Sequence, residues 1–455
     1  MQSDSLLVDP RRKRLRQTGT LTVGSVIYWM GRDMRAKDNW ALLAAAESAK
    51  RSDSPLYVVY AIPPTFVGAT WRHYDFLLKG LEQVENELRA LGIPLIAEVG
   101  NPIEILPRLA RDLQARSIYM DTNPLKIVNF FKEQVMAAAP DQTFVEVDAH
   151  NVVPWWVASD KEEFGAYTLR PKLERLLPEF LTEFPSVPDF KTSTSHANDW
   201  VQISNSILAD ASVKPVQMVP GETAGKRRLT DFLDRIEAYP EDRNDPNKNG
   251  QSGLSPWLHM GHLSAQRVLL EMDKTDPSPE ARKAFQNEVL VWREVAENFC
   301  AFNQSYDELS GARDWAKASH QEHRDDPREV LYTYDQLERG ETYDDLWNAA
   351  QWEMVNTGKM HGYLRMFWAK QILAWTPSVE VALQTAIQLN DKFSIDGNDS
   401  NGYAGIMWSL CGVHDRAWFD RPVFGKIRYM NRNGCERKFD VKAYIAKQTQ
   451  PSLLG

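Results

Sequence analysis

The sequence predicts an α/β domain with a parallel sheet, followed by an all-helical domain. In the first third of the chain, short apolar runs rich in β-branched and aromatic residues alternate with helical patterns. After about residue 219 the strand pattern ends and only helical periodicity continues. A proline-rich stretch separates the two parts, and 455 residues are enough for two to three domains.

The alternating runs define the elements of the first domain. Asn101 followed by Pro102 is a typical helix start, because the asparagine caps free N–H groups and proline fits the first turn. The resulting order predicts a Rossmann-like parallel sheet with helices on both faces. No G-x-G-x-x-G motif follows the first strand, so no dinucleotide site of that kind is predicted. Strands are predicted at 21–30, 55–62, 94–99, 117–121 and 143–147, and helices at 39–50, 74–91, 102–115 and 126–138.

Four segments follow from these patterns. Residues 1–20 are predicted to be a disordered basic tail, because the basic run from Arg11 to Arg16 precedes any periodic segment. The α/β domain spans 21–185, a linker spans 186–220 and the helical domain spans 221–455. Helices of the last domain are predicted at 230–239, 262–272, 279–302, 343–356, 359–375 and 378–393.

Composition and charge exclude several classes of protein. A hydrophobic fraction of 43% with 25% charged residues is globular, so disordered and fibrous classes are excluded. No apolar run approaches the ~20 residues of a membrane span, and the N-terminus lacks the layout of a signal peptide. The three cysteines lack C-x-x-C spacing, which favours a reducing compartment.

The distribution of charge allows one basic surface on an acidic chain. The net charge of −9 argues against nucleic-acid binding by bulk charge. Between Arg421 and Lys447, however, eight basic residues stand against two acidic ones, and this stretch could face phosphates. The alternative is an ordinary solvated surface.

Three chemical motifs are absent or incomplete. The segment from Gly221 to Lys226 resembles a phosphate-binding P-loop, but it is one residue short and lacks the magnesium-binding hydroxyl. Backbone N–H groups at its helix start could still bind a phosphate. The pairs His259/His262 and His320/His323 have helical spacing but no completing ligands, so no metal site is predicted. No G-x-S-x-G nucleophile motif is present.

Longer motifs resemble a known family. The strings SGLSPWLHMG at 252–261, NEVLVWRE at 287–294 and NDKFSIDGNDSNGYAGIMW at 390–408 resemble the FAD domain of photolyases and cryptochromes. Details resemble class II cyclobutane pyrimidine dimer photolyases, over about residues 26–445. These details are YWMGRD at 28–33, DNWAL at 38–42, VDAHNVVP at 147–154, RNDP at 243–246, TGKMHG at 357–362 and GVHDRAW at 412–418.

The resemblance implies a light-driven DNA-repair enzyme. In such an enzyme, excited anionic FADH⁻ donates an electron to a pyrimidine dimer flipped out of UV-damaged DNA, and the electron returns after the ring splits. A monomer without membrane contact is expected, cytoplasmic with the nucleoid in a prokaryote and nuclear in a eukaryote. The sequence leaves open whether the α/β domain binds an antenna chromophore of the deazaflavin type. Flavin contacts are implied for Tyr239, Ser252, Leu254, Ser255, Asn390, Asp396 and Asn401.

The lesion pocket is expected around a carboxylate and two indoles. Glu288 and Trp292 are four apart and share one helix face, which suits a pocket for a flat base with carbonyl groups. Trp408 is expected to close the other side, although both indoles taken alone are more typical of a core. By resemblance, contacts to the lesion or the DNA are also implied for Arg243, Asn244, Arg365, Met366, Asp415 and Arg416.

An electron relay is expected away from its usual place in the family. Position 406, where better-known branches have tryptophan, holds isoleucine here. Trp368 and Trp375 are seven apart on one predicted helix face, and Trp347 in the preceding helix could pack between them. The resemblance assigns flavin photoreduction to these three, with Trp368 nearest the flavin. Core packing is the alternative.

Two other functions compete with repair. A blue-light receptor would keep the flavin and signal through partners, and a light-independent protein would only bind damaged DNA. Retention of Glu288, Trp292, Trp408, Arg243 and Asn244 favours repair.

Overall fold

The structure is a computed structural model that describes residues 7–192 and 196–449. The predicted fold class is confirmed, because a parallel α/β domain precedes a helical domain. The strands are β1 (Lys13–Gln17), β2 (Ser25–Trp29), β3 (Leu56–Ile62), β4 (Leu95–Val99), β5 (Ala115–Asp121) and β6 (Thr143–Val147). The helices of this domain are α1 (Trp40–Arg51), α2 (Trp71–Ala90), α3 (Pro102–Asp112), α4 (Lys126–Ala138), α5 (Trp155–Ala158) and α6 (Ala166–Phe180).

The sheet has the order β1-β6-β5-β2-β3-β4 and is parallel from β6 to β4. All five residues of β2 are buried, because helices cover both sides of this central strand. Val26 and Tyr28 belong to the apolar core under α1 and α2, whereas Ile27 and Trp29 belong to the core under α3 and α4. The carboxyl ends of the parallel strands therefore share one edge, which borders the helical domain.

The expected disordered tail is wrong for residues 7–20. β1 lies in this segment and pairs antiparallel with β6. The guanidinium of Arg12 is buried and donates to the carbonyl oxygens of Asp148, Asn151 and Val152 at 2.8–3.2 Å. It also lies 5.0 Å from the ring centroid of Trp40. A basic run is typical of a solvated tail, but here distant carbonyl groups and an indole compensate the buried charge. Residues 1–6 lie outside the described part.

The predicted linker contains a helix. Between 186 and 220, α7 (Trp200–Asn205) lies beside α2 and β4. The indole N–H of Trp200 donates to Glu85 on α2 at 2.8 Å, so this segment is part of the α/β domain's surface. Positions 193–195 lie outside the described residues.

The second domain consists of helices, with one change from the α-helical pattern. The single helix predicted at 279–302 contains a π-helical segment, Asn287–Trp292, between α12 and α13. The predicted helix at 230–239 is wrong, because α8 ends at Leu233. The elements are α8 (Glu222–Leu233), α9 (Tyr239–Asp242), α10 (Ser255–His259), α11 (Ala265–Lys274), α12 (Pro279–Gln286), α13 (Arg293–Phe302), α14 (Asp314–Glu322), α15 (Tyr334–Arg339), α16 (Asp345–Thr357), α17 (Gly362–Ala374), α18 (Val379–Phe393), α19 (Ser400–Cys411), α20 (Arg432–Glu436) and α21 (Val441–Lys447).

Buried charge joins the two domains. The guanidinium of Arg32, which follows β2, donates to both carboxylate oxygens of Glu297 on α13 at 2.8 and 2.6 Å. Burial by itself would raise the pKa of Glu297, but Arg32 outweighs it and lowers the pKa to about 2. The α/β domain is therefore fixed to the helices that carry the site. Within the part of the chain described, no helix has both the length and the apolar character required to cross a membrane.

Candidate lesion and flavin site

The π-helical segment presents Glu288 and Trp292 to solvent. The Glu288 side chain is 39% exposed and Trp292 is 37% exposed, whereas the three residues between them are buried. Arg243 donates to Glu288 Oε1 at 2.6 Å and lies 5.7 Å from the ring centroid of Tyr239. π-helical turns occur frequently at functional sites, and no sequence pattern distinguished this one from an α-helix. Arg243, Glu288 and Trp292 thus lie on one exposed surface, which we call the opening.

Trp408 lies on α19, which packs against α13. Two cations flank its ring, with Lys370 Nζ at 5.3 Å and the Arg428 guanidinium at 5.5 Å from the ring centroid. Burial lowers the pKa of Lys370 to about 7. Arg428 also stacks on Trp418 at 4.2 Å and forms an ion pair with Asp415 at 2.7 Å. These contacts fix the orientation of Trp408.

Small residues leave open space along α19. Asn401, Gly405 and Trp408 are four and then three residues apart, so they share one helix face. A Cβ atom on exposed Gly405 would meet no atom within 4 Å, and one on Gly402 would lie 3.1 Å from the Asn390 amide nitrogen. Asn401 and Trp408 therefore flank open space at Gly405, and the Asn390 amide lies beside the neighbouring Gly402.

A cluster of charged groups lies beside the start of α10. Lys359 and Arg365 each form an ion pair with Asp396 at 2.9 Å, and Lys359 also contacts the hydroxyl of Ser255. Burial would raise the pKa of Asp396, but Arg365 and Lys359 hold it well below its usual value. The cluster combines two cations with one carboxylate, so it keeps a positive charge beside the Ser255 hydroxyl and the start of α10, which favours a phosphate.

Two cations of this region were not predicted from the sequence. Arg228 on α8 donates through Nε to the carbonyl of Ser252 at 2.7 Å, and Lys359 lies in the TGKMHG string. No local pattern indicated them, because the serines that they contact lie 24 and 104 residues away in sequence.

The three tryptophans proposed as a relay are in contact. Trp347 stacks on Trp368 with ring centroids 6.2 Å apart and planes at 4°, and it meets Trp375 edge-on at 5.6 Å. All three are at most 3% exposed. Tyr332 and Tyr343 each lie 5.5 Å from the Trp375 ring, and Tyr343 is 63% exposed. A continuous aromatic path therefore leads from α17 to the surface.

Some predicted site residues do not reach the opening with their side chains. Leu254 and Tyr239 are buried, and Tyr239 packs on Phe232 and Phe285 in the core. Only the backbone of Leu254 is therefore available to a ligand. Met366 is half-buried on α17, whereas Asn244 and Arg416 are exposed.

The expected basic patch at 421–447 is only partly free for phosphates. Arg432 is bound by Asp344, Asp345 and Glu436, and Arg428 is bound by Asp415. Asp344 and Asp345 come from a segment nearly 90 residues away, so the local excess of positive charge overestimates the surface charge. The exposed cations of the segment are Arg421, Arg437, Lys438, Lys442 and Lys447.

The P-loop-like glycines have a packing role. The Gly221 N–H donates to His262 Nδ1 at 3.1 Å, and a Cβ on Gly225 would lie 3.1 Å from the Trp257 ring. The Gly221 N–H, which could have donated to a phosphate, is therefore already hydrogen-bonded inside the protein.

Comparisons with known proteins agree with this site. A sequence model of DNA photolyase matches residues 26–189. A deoxyribodipyrimidine photo-lyase of Potorous tridactylus is 48% identical over 428 residues, which are 92% of this chain and 80% of that protein. The chain belongs to the DNA photolyase family. A second photo-lyase, from Arabidopsis thaliana, is 44% identical, and the match covers 98% of this photolyase-family chain and 94% of that protein.

Solved structures show the same fold. A class III photolyase from Agrobacterium tumefaciens has a TM-score of 0.72 at 18% identity and covers 94% of this photolyase and 87% of that chain. A Synechocystis cryptochrome has the same TM-score and identity, with 93% and 88% covered. The predicted family and the repair activity are confirmed by the photo-lyase relatives, whereas the cryptochrome shows the fold alone.

Proposed function

We propose that this photolyase splits cyclobutane pyrimidine dimers in UV-damaged DNA, with FAD bound in the helical domain. The observation that carries the proposal is the exposed surface of Arg243, Glu288 and Trp292 at the π-helical segment, together with Trp408 and the open space at Gly405 on α19, which packs against α13. A flipped base needs stacking surfaces and a hydrogen-bonding group, and these side chains offer both.

The side chains present fit FAD. Lys359 and Arg365 can turn from Asp396 to a pyrophosphate, and Ser252 and Ser255 supply hydroxyls at the start of α10. The amide of Asn390 lies at the open face of α19, where it can donate to or accept from a flavin ring. When bound and reduced to FADH⁻, the cofactor supplies the electron that light transfers to the dimer.

Glu288 and Arg243 are proposed to orient the lesion. In the absence of DNA they bind each other at 2.6 Å, so each holds the other at the opening. A thymine carbonyl can accept from Arg243, and an N–H can donate to Glu288. Trp292 and Trp408 would stack on the extruded bases and compensate the few kcal/mol that flipping costs.

Trp368, Trp347 and Trp375 are proposed to conduct electrons from the surface to the site. The ring contacts run in that order, and Trp347 lies between the other two. The indole N–H of Trp368 donates to Gln351 at 2.9 Å and that of Trp347 to the Trp368 carbonyl at 3.0 Å. These bonds hold the rings in fixed contact.

An antenna chromophore of the deazaflavin type is proposed in a cavity between the domains. The cavity has a volume of about 210 Å³, lies at the carboxyl ends of β2 and β3, and is lined by Tyr60, Phe131, His259 and Asn398 among others. Ligands of such sheets bind outside this edge. Replacing the lining residue Ala61 with Phe should fill the cavity and prevent a deazaflavin from binding there. The deazaflavin fluorescence should then not be quenched by bound FAD. Quenching equal to that of the wild type would place the chromophore elsewhere.

The function is tested with pre-reduced enzyme and a dimer-containing oligonucleotide. We expect pyrimidine dimers to be lost under blue light and retained in darkness. In size-exclusion chromatography, the protein should elute as a monomer. Photoreduction without dimer loss would instead indicate a photoreceptor, and lesion binding without any light effect would indicate a damage-binding protein.

A further inference from the structure

Lys370 is a basic side chain that the fold buries completely. It lies on α17, two residues after Trp368, and its relative exposure is 0%. Its ammonium group donates to the carbonyl oxygen of Ser409 on α19. Burying a cation costs free energy unless other groups compensate it, so lysine is almost never found at such a position without a partner or a role.

The carbonyl group that Lys370 binds belongs to the last turn of α19. The last four carbonyl groups of a helix have no partner within the helix. At the end of α19, backbone N–H groups beyond the helix bind two of them, Lys370 binds that of Ser409, and His320 on α14 donates to that of Leu410 at 2.8 Å. Lys370 thus caps the helix that carries Trp408, at the end where a positive charge is favourable.

The same ammonium group lies over the ring of Trp408. Its nitrogen is 5.3 Å from the ring centroid, within the distance of a cation–π contact. Because Lys370 is fully buried, it approaches the ring from inside the protein, and the part of the half-buried indole that faces solvent stays free for a ligand. A base stacked on Trp408 would therefore have a positive charge behind the ring.

The surroundings of Lys370 make its charge depend on pH. Burial is the main cause that lowers its pKa to about 7, and Arg428 acts in the same direction. Asp415 opposes this shift, but it is itself ion-paired with Arg428 at 2.7 Å. Burial also lowers the pKa of His320, which is therefore neutral at pH 7. The titratable groups that act on Lys370 or on its neighbours are His320, Glu380, Cys411, Asp415 and Arg428.

We propose that protonated Lys370 promotes repair by placing a positive charge behind Trp408, close to the dimer that accepts the electron. This inference rests on the proposed function. A positive charge stabilises the dimer more once it carries the electron than before, so it favours splitting of the ring over premature return of the electron to the flavin. The proton stays on Lys370 throughout, and the electron still returns after both ring bonds have broken. Lys370 is a positioning residue, because it acts through Trp408 without touching the lesion.

The test is the repair yield per absorbed photon between about pH 6 and pH 9, with pre-reduced enzyme and a saturating dimer-containing oligonucleotide. Lys370 is charged below its pKa of about 7 and neutral above it, so the wild-type yield should fall at least about twofold as pH rises. Lys370→Met has a similar shape without the charge, and its yield should be low at every pH. Lys370→Arg stays charged and should keep the high yield at the alkaline end of the range.

Lys132→Met is the matched control. Lys132 is also buried, but it lies on α4 of the α/β domain and pairs with Glu146 at 2.7 Å. This variant should keep the pH profile of the wild type. Flavin content and affinity for the oligonucleotide in darkness, measured for each variant, report whether the site is still formed.

A wild-type yield that stays constant across the pH range would overturn the role of Lys370. The same holds if the yield of Lys370→Met declines with pH as the wild-type yield does, because another group would then titrate. Should Lys370→Met fail to fold, the comparison of the wild type with Lys370→Arg decides, and an equal decline in both would contradict the proposal. If the wild type splits no dimers at any pH, the proposed function fails rather than the role of Lys370 alone.

Discussion

Five of the nine tryptophans in the helical domain form two groups with different surroundings. Trp347, Trp368 and Trp375 are at most 3% exposed and contact one another. Trp292 is 37% exposed, and Trp408 has Lys370 and Arg428 near its ring. The difference teaches that indoles of one chain can suit two tasks. Burial fixes ring-to-ring contact in the first group, whereas incomplete burial leaves a ring surface for a ligand in the second.

The largest effect is expected from Trp368→Phe. The change keeps an aromatic ring and should cost only about 1 kcal/mol of stability, but it removes the indole that links Trp347 to the site. Photoreduction should be lost, whereas chemically pre-reduced enzyme should repair almost normally. The rise of reduced-flavin absorbance under blue light with an external reductant measures this.

Trp352→Phe is the control for the relay. Trp352 lies on α16 like Trp347, but its indole N–H donates to the Arg339 carbonyl at 3.0 Å. Its loss should leave photoreduction unchanged. Photoreduction at the wild-type rate in Trp368→Phe would mean that the buried group is only core, and the contrast between the groups would then disappear.

A second, smaller effect is expected at Trp292 and Trp408. Trp292→Ala and Trp408→Ala should each weaken binding of dimer-containing DNA by about 1–3 kcal/mol, because a stacking surface is lost. Flavin content should stay the same, as absorbance of the purified variants would report. Unaltered lesion affinity in both variants would remove these indoles from the site.

Two glutamates also differ in burial, and Glu288 is the partly exposed one. Glu288→Ala should lower repair per absorbed photon more than it lowers affinity, because its hydrogen bond is strongest once the dimer carries negative charge. Quantum yield and dissociation constant, measured on one dimer-containing oligonucleotide, separate the two. A loss of affinity with the quantum yield intact would contradict the role.

Glu294 is the buried glutamate, and it should affect stability only. Its Oε1 accepts from the Val152 and Val153 N–H groups, and burial raises its pKa from 4.5 to about 8. The folded state therefore binds a proton that the unfolded state releases between pH 4.5 and 8, so this contribution to stability falls as pH rises through that range.

Glu294→Gln keeps the acceptor and removes the titration. The melting temperature of the variant relative to that of the wild type should increase as pH rises from about 5 to 8. Repair by pre-reduced enzyme should be unchanged at both pH values. A difference in melting temperature that is the same at both pH values would show that Glu294 does not titrate there.

The sequence by itself determined the layered plan, and its resemblance to the photolyase family indicated which tryptophans to group. β6 and α4 begin and end at the predicted residues, because a strand buried on both faces and an amphipathic helix each leave a local apolar pattern. The spacing of Trp368 and Trp375 likewise predicted that they share a helix face, whereas the position of Trp347 between them depends on how α16 packs on α17.

Tertiary structure decided the features that depend on distant partners. The basic run at 11–16 became an ordered edge strand because carbonyl groups some 140 residues away solvate Arg12. Arg432 was removed from the predicted phosphate surface by Asp344, and the π-helical turn at Glu288 has no local pattern that differs from an α-helix. Periodicity reports that a side chain will be buried, whereas the neutralisation of a charge depends on which remote group reaches it, and only the folded chain brings the two together.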